Sequence, residues 1–206
     1  DRFHIAAALN VFYGWHERKA TDHVAGLSYA GAAIAALHAG DLVTLFIWWE
    51  ATAVTSVFLI LASGTQRARR AAMRYLIVQV ASGVLLLASA AMLYSESGSL
   101  AFAGMTLGST GTWMIFIAFG IKAAFPLLNG WLQDAYPEAT VVGTVVLSSF
   151  TTKLAIYALA RGFAGTDLLI LIGCLMTAFP VFFAVIENDM RRVLAYSLNN
   201  QLGSVS

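Results

Sequence analysis

The chain alternates long apolar runs with short polar stretches, and the runs have the length of membrane-crossing helices. A span needs roughly 20 mainly apolar residues. Read for such runs, the sequence gives the tail of a helix at 3–15, then segments at 23–40, 42–63, 75–94, 112–126, 139–160 and 168–186. A last helix opens near 193 and runs to the end. The connections are short and polar, as expected where only a helix can satisfy its own backbone in lipid. Ten-residue segments of strict alternation, the mark of a membrane β-barrel, are not seen. The pattern predicts an all-α, polytopic transmembrane helix bundle.

Two features interrupt it. Pro126 ends or kinks the fifth apolar segment, and Asn129-Gly130 prolongs the irregularity before Trp131. Pro180 falls inside 168–186 and predicts a bend there. The Gly- and Ser-rich stretch Ser95–Ser109 is only weakly apolar, which suits the membrane interface.

Composition agrees with lipid. Of the 206 residues 59% are hydrophobic and 11% charged, whereas a soluble domain carries about 25% charge. The net charge of +1 falls in short clusters of arginine, not on one stripe, so nothing points to nucleic acid. The single cysteine, Cys174, can form no internal disulfide, and no Cys/His spacing suggests a metal. No cofactor motif occurs. The chain starts Asp1-Arg2-Phe3-His4 without an initiator Met or signal pattern, and ends Gln201-Leu-Gly-Ser-Val-Ser without a closing signal. These ends suggest a piece of a longer protein.

Lys and Arg in the connections set orientation. Taken alternately, one side receives Arg18, Lys19, Arg67, Arg69, Arg70, Arg74, Arg191 and Arg192; the other receives Arg2 and Arg161. The bias puts loops 16–22, 64–74, 127–138 and 187–192 in the cytoplasm of a cell inner (plasma) membrane protein. Loop 127–138 has no basic residue of its own.

Three charges fall inside apolar segments: Glu50 in 42–63, Lys122 shortly before Pro126, and Lys153 in the middle of 139–160. An ionised group at the bilayer centre costs about 2.5–3.5 kcal/mol on insertion scales, so such residues mark ion pathways by default. Plainer roles exist for each. Lys122 could snorkel to the surface, and Glu50 and Lys153 could be structural ion partners. Yet burial favours a neutral lysine and a nearby carboxylate favours a charged one. One carboxylate and two lysines therefore make a chemically sensible proton relay. The hydroxyls of Ser148, Ser149, Thr151 and Thr152 could hold water beside Lys153. His38, at a span end, is a candidate for proton exit; His4, His16 and His23 flank spans and read as interfacial. On depth alone Lys153 is the safest of the three.

At these residues the chain resembles the proton-conducting subunits shared by Mrp-type sodium/proton antiporters and respiratory complex I. Four stretches carry the likeness: Phe46-Ile-Trp-Trp-Glu50 with Ser56-Val-Phe-Leu-Ile60; Gly120-Ile-Lys122-Ala-Ala-Phe-Pro126-Leu with Trp131-Leu and Asp134-Ala; Thr152-Lys153-Leu-Ala-Ile-Tyr157-Ala-Leu-Ala-Arg161; and Asn188-Asp189-Met-Arg191-Arg192-Val-Leu-Ala-Tyr196-Ser197 with Gln201-Leu-Gly203. The resemblance implies Glu50 as the carboxylate that tunes the first lysine, Lys122 as the central lysine, and Lys153 as the bridging one. It implies inverted five-helix repeats, with 23–160 the first repeat and 168–206 the start of the second. The third stretch looks most like the D-type subunit of Mrp antiporters. The chain departs from the family pattern at Leu128-Asn129-Gly130, at Gln133 and at Pro137-Glu-Ala-Thr140. Asn129 becomes a candidate for the hydrogen bonding around the break.

The resulting expectation is a proton-translocating subunit of a multisubunit sodium/proton antiporter, working with other membrane subunits and exchanging protons for sodium. On this reading it is a transporter part; on the rival reading it is a subunit of a proton-translocating redox enzyme. The rival is a pumping subunit of an NADH-quinone oxidoreductase or membrane-bound hydrogenase. A third class is a membrane anchor in which the charges only lock helices together.

Overall fold

The computed structural model describes residues 2–203; Asp1 and Ser204–Ser206, which include the end of the C-terminal stretch, lie outside the described residues. The helices run α1 Arg2–Tyr13, α2 Ala20–Leu37, α3 Leu42–Leu61, α4 Gln66–Ser97, α5 Thr110–Ala123, α6 Gly130–Ala135, α7 Val141–Gly162, α8 Asp167–Ile186 and α9 Met190–Gly203. Among the described residues the only β pairing is the isolated bridge Asp41–Ala101. By length and composition α3, α4, α7 and α8 can each cross a membrane; α5 is apolar but only 14 residues long.

Helix starts follow the local chemistry. Asp41, Thr65, Ser109 and Thr140 each accept a bond from the backbone N–H three residues on, at 2.8, 3.0, 3.3 and 2.9 Å, satisfying a donor that the first turn leaves open. The Asp41 carboxylate also accepts from the Thr44 hydroxyl at 2.6 Å. These bonds hold its carboxyl below the usual range.

The α4 start corrects an expectation. Hydropathy makes residues 64–74 a loop, but α4 begins at Gln66 and carries Arg67, Arg69, Arg70 and Arg74 on its first turns. Arg and Ala are strong helix formers, and the Thr65 cap starts the helix well before the apolar run. Hydropathy reads where a helix enters lipid, not where it starts. Connection 127–138 likewise contains α6 and a 3-10 turn, Tyr136–Glu138. The 95–109 stretch is not a mere surface strap either: helix α4 runs to Ser97, and Phe102 is buried against Phe119. Pro180 lies within a continuous α8.

Packing closes a ring: α2 lies on α3, α3 on α4, α4 on α5, α5 on α7, and α7 returns to α2, while α8 pairs with α9. Hydrogen bonds gather the connections at two ends. At one end Lys19 donates to Ala62 O, Arg74 pairs with Asp134 at 3.0 Å, and Arg191 donates to Pro137 O at 3.0 Å. The segment after the α5 break therefore lies with the basic cluster, although it has no basic residue of its own. At the other end Leu42 N–H donates to Leu100 O, Met105 N–H to Gly162 O, and Arg161 to Ala39 O.

Candidate functional site

Helix α5 stops because its next residues leave helical geometry. Ala124 is left-handed at φ 61°, and Phe125 N–H closes back onto Gly120 O at 3.0 Å. Pro126 offers no N–H and disfavours a helical residue before it. A side chain at Gly120 would overlap the Phe125 ring, so the glycine is what lets the chain fold back here. Across the break, the Trp131 indole donates to Ile121 O at 2.9 Å and fastens α6 beside the last turn of α5.

Lys122 occupies that last turn and is completely buried. Its ammonium does not reach for the surface. It donates to Trp49 O at 2.7 Å and to Thr52 Oγ1 at 2.9 Å, both on α3, and lies 4.3 Å from the centre of the Trp49 ring. The snorkelling role is therefore excluded. Trp49 is itself held by its indole N–H on Ser82 Oγ at 3.1 Å, and Ser82 donates to Ala118 O at 2.8 Å. Three helices thus fix the cradle of one lysine.

Glu50 follows Trp49 on α3 and is half-buried. Its Oε1 is enclosed without a hydrogen-bond partner, and its carboxylate fills the space where Gly83 of α4 has no side chain. Among the described residues the ion pairs are Arg74–Asp134 and Arg192–Glu187, so Glu50 and Lys122 are not in direct contact. They are neighbours all the same, because Glu50 follows the Trp49 whose carbonyl holds the ammonium. The arrangement is a buried ammonium on neutral oxygens with a carboxylate one step away.

Lys153 faces elsewhere. It lies on α7 and is partly accessible, and its ammonium turns back to Ser148 O at 2.5 Å. It lines a cleft of about 570 Å³ with Arg2, Phe3, Ser149, Tyr157 and Gln201. The structure therefore brings Glu50 and Lys122 together but leaves Lys153 apart from them, in a cleft shared with α1 and α9. The supporting candidates divide similarly. Ser148 and Ser149 donate to Val145 O at 2.8 and 2.9 Å, within their own helix. Thr152 Oγ1 is buried and unpartnered. Asn129 makes no side-chain cap on α6. His38 is exposed at the end of α2, with Nδ1 2.9 Å from Ile34 O.

The polar groups that complete the cradle, Thr52 and Ser82, do not stand out in the sequence. A single polar residue in an apolar helix is the available sign, and Gln79 in α4 is such a residue: fully buried, with neither amide atom hydrogen-bonded.

Fold and site together define a polytopic α-helical membrane protein with a lysine buried at a helix break beside a carboxylate of the neighbouring span. A family profile described as "NADH:quinone oxidoreductase/Mrp antiporter, TM" matches residues 39–206, and the chain belongs to that family. It is 29% identical over 184 residues to the D-type subunit of the Na(+)/H(+) antiporter of Alkalihalophilus pseudofirmus, covering 80% of this chain and 37% of that protein. It is 27% identical to the NAD(P)H-quinone oxidoreductase chain 4-2 of Synechocystis, over 98% of this chain and 40% of that protein. The Mrp complex of Dietzia contains a chain that superposes with a TM-score of 0.79 at 27% identity, over 86% of this chain and 37% of that one. The chain thus spans about two fifths of the length of these curated relatives.

Proposed function

We propose that this chain is part of a proton-translocating membrane subunit of a multisubunit sodium/proton antiporter, in which Lys122 is the proton-switching group and Glu50 tunes it. The observation that carries the reading is the complete burial of Lys122 on α3 oxygens without a carboxylate in contact. A paired lysine would be held in one charge state; this one has only neutral acceptors and a through-space neighbour. Movement of Glu50 towards it favours the ammonium, and movement away favours release of the proton.

Lys153 is the next station in this reading. Its separate cleft means that transfer between the two lysines does not run through one shared pocket. Lys153→Ala is expected to lower proton flux severalfold in the full-length, assembled protein in sealed vesicles. Unchanged flux would remove Lys153 from the route and leave the Lys122 reading standing.

The antiporter assignment draws on the likeness to the D-type antiporter protein of Alkalihalophilus and on the Thr152-Lys153…Tyr157…Arg161 stretch. A pumping subunit of a quinone oxidoreductase is the second reading, favoured by the relative that covers nearly the whole chain. In either setting the partners are other membrane subunits and the surrounding lipid. We assign α2 to α7 to a first inverted repeat, with α8 and α9 opening the second, and place the end rich in Arg and Lys in the cytoplasm of the cell inner membrane. A cysteine placed at Ser63 should react with a membrane-impermeant thiol reagent only in inside-out vesicles. Labelling from the periplasmic side would reverse the orientation.

A further inference from the structure

Asp22 lies in the first turn of α2 and is buried, only 3% exposed. A carboxylate in a first turn has an ordinary cause, since that end of a helix favours negative charge. Burial of the group is what that cause leaves unexplained. Its Oδ1 accepts from the Thr140 hydroxyl, the cap of α7, at 3.4 Å. Its Oδ2 is enclosed and has no hydrogen-bond partner among the described residues, and the ion pairs found there, Arg74–Asp134 and Arg192–Glu187, leave Asp22 out. The nearest basic groups are turned elsewhere: Lys19 donates to Ala62 O at 3.4 Å, and His23 Nε2 lies 2.8 Å from Glu17 O. A buried carboxylate with a free oxygen is costly unless a cation or a proton meets it. Beside Asp22 is a cavity of about 30 Å³, bordered by Asn10, Gly14, Gly26, Val142 and Val146, enough for a water-sized particle. The glycines let its walls close on α7: a side chain would begin 3.3 Å from Val142 at Gly14 and 3.7 Å from Val146 at Gly26. Asn10 Nδ2 is likewise enclosed without a partner, and a half-turn of the amide presents its oxygen in place of the nitrogen. A carboxylate and an amide thus border one small cavity and do not bond each other.

We infer that this cavity, between α1, α2 and the start of α7, binds one small alkali cation, with Asp22 Oδ2 supplying the charge and the Asn10 amide a second oxygen. Hard cations take oxygen ligands, and a single carboxylate balances a single positive charge, which favours Na+ over a divalent ion. Among the described residues no group of three or more His, Cys, Asp or Glu side chains could hold a metal, in keeping with a monovalent guest. The inference deepens the antiporter reading above and rests on it for the purpose of the site. It gives Na+ a place at the end rich in Arg and Lys, on elements other than the α3 and α5 that hold Lys122. The binding itself needs no proton movement, so it can be measured apart from the relay.

The test uses the full-length, assembled protein, purified and held without a proton gradient. It reads equilibrium binding of radioactive Na+, with choline keeping the ionic strength constant. Wild type should show a saturable component that Li+ displaces. Asp22→Asn keeps the shape of the side chain but removes its charge, and should weaken that component by about tenfold or more, because ligand charge sets the affinity of such sites. Asn10→Asp puts a second carboxylate on the cavity and should tighten Na+ binding and let Ca2+ compete. A carboxylate that serves only the helix end, or only holds a water, would give no such gain. Unchanged Na+ binding in Asp22→Asn overturns the site, and so does Asn10→Asp without Ca2+ competition. Should Asp22→Asn fail to assemble, Asn10→Asp decides alone. Lys122→Met run alongside, with proton flux read in sealed vesicles, keeps the two levels apart. Full proton flux in that variant rejects the relay and leaves the cation site standing, whereas unchanged Na+ binding in Asp22→Asn rejects the site and leaves the relay.

Discussion

Replacing Lys122 by methionine in the full-length, assembled protein is expected to cut proton flux by on the order of a hundredfold, the low end of what a positioned proton-transfer group contributes, without weakening the fold. The two halves of that expectation have separate causes. Methionine keeps the length and most of the volume of the side chain, and volume-conserving changes in a packed interior are well tolerated. It also removes a desolvated charge that has no carboxylate in contact, and replacing a buried charge by a well-packed apolar group is often neutral or stabilising. Trp49 O and Thr52 Oγ1 lose a donor but stay engaged: Thr52 Oγ1 still donates to Trp49 O at 2.7 Å. Lys122→Arg adds the decisive control. Arginine keeps the positive charge but does not release its proton in proteins, so it should fold and carry no flux. The measurements are dye-monitored flux and thermal unfolding of the same preparations. Normal flux in either variant would remove Lys122 from the proton path, and a collapse of the fold in the methionine variant would make the lysine a structural pin.

That expectation inverts the ranking the sequence suggests. From position in its apolar run, Lys153 is the deepest of the three charges and Lys122 is close enough to a helix end to snorkel. In the structure Lys122 is fully enclosed and Lys153 opens onto a cleft. Depth along a helix axis can be read from a sequence. Depth across the bundle depends on which neighbours surround the helix, and for α5 these are α4 and α7, brought there by contacts far away in the chain. The break at Pro126 is legible for the opposite reason, since it is a local property of proline and of the residue before it. The arginines of α4 are legible as a charged end but not as helix, because hydropathy and helix propensity are different signals that part company at a basic, helix-favouring stretch. Gln79 carries no spacing that marks chemistry; only the fold shows that it is fully buried without a hydrogen-bond partner.

Gly83→Ala gives the second large effect, and its sign runs against helix propensity. In the interior of α4 a glycine costs about 1 kcal/mol relative to alanine, so the substitution should by itself strengthen the helix. Here the new methyl group would overlap the Glu50 carboxylate. That carboxylate is the mobile end of a flexible side chain and can swing away, so the fold survives and the melting temperature should hold or rise. What is lost is the placing of the charge. A pair of unit charges beyond contact in a medium of effective dielectric about 20 interacts by less than the about 4 kcal/mol of a pair 4 Å apart, and losing about 1.4 kcal/mol of that on the rate-limiting step lowers flux by about tenfold. If position is the whole effect, Gly83→Ala should change nothing further in a Glu50→Ala background. Full flux in Gly83→Ala would mean that Glu50 can tune Lys122 from more than one place. A fall in melting temperature together with flux would mean that α3 and α4 separate, in which case the glycine serves close packing and not the carboxylate.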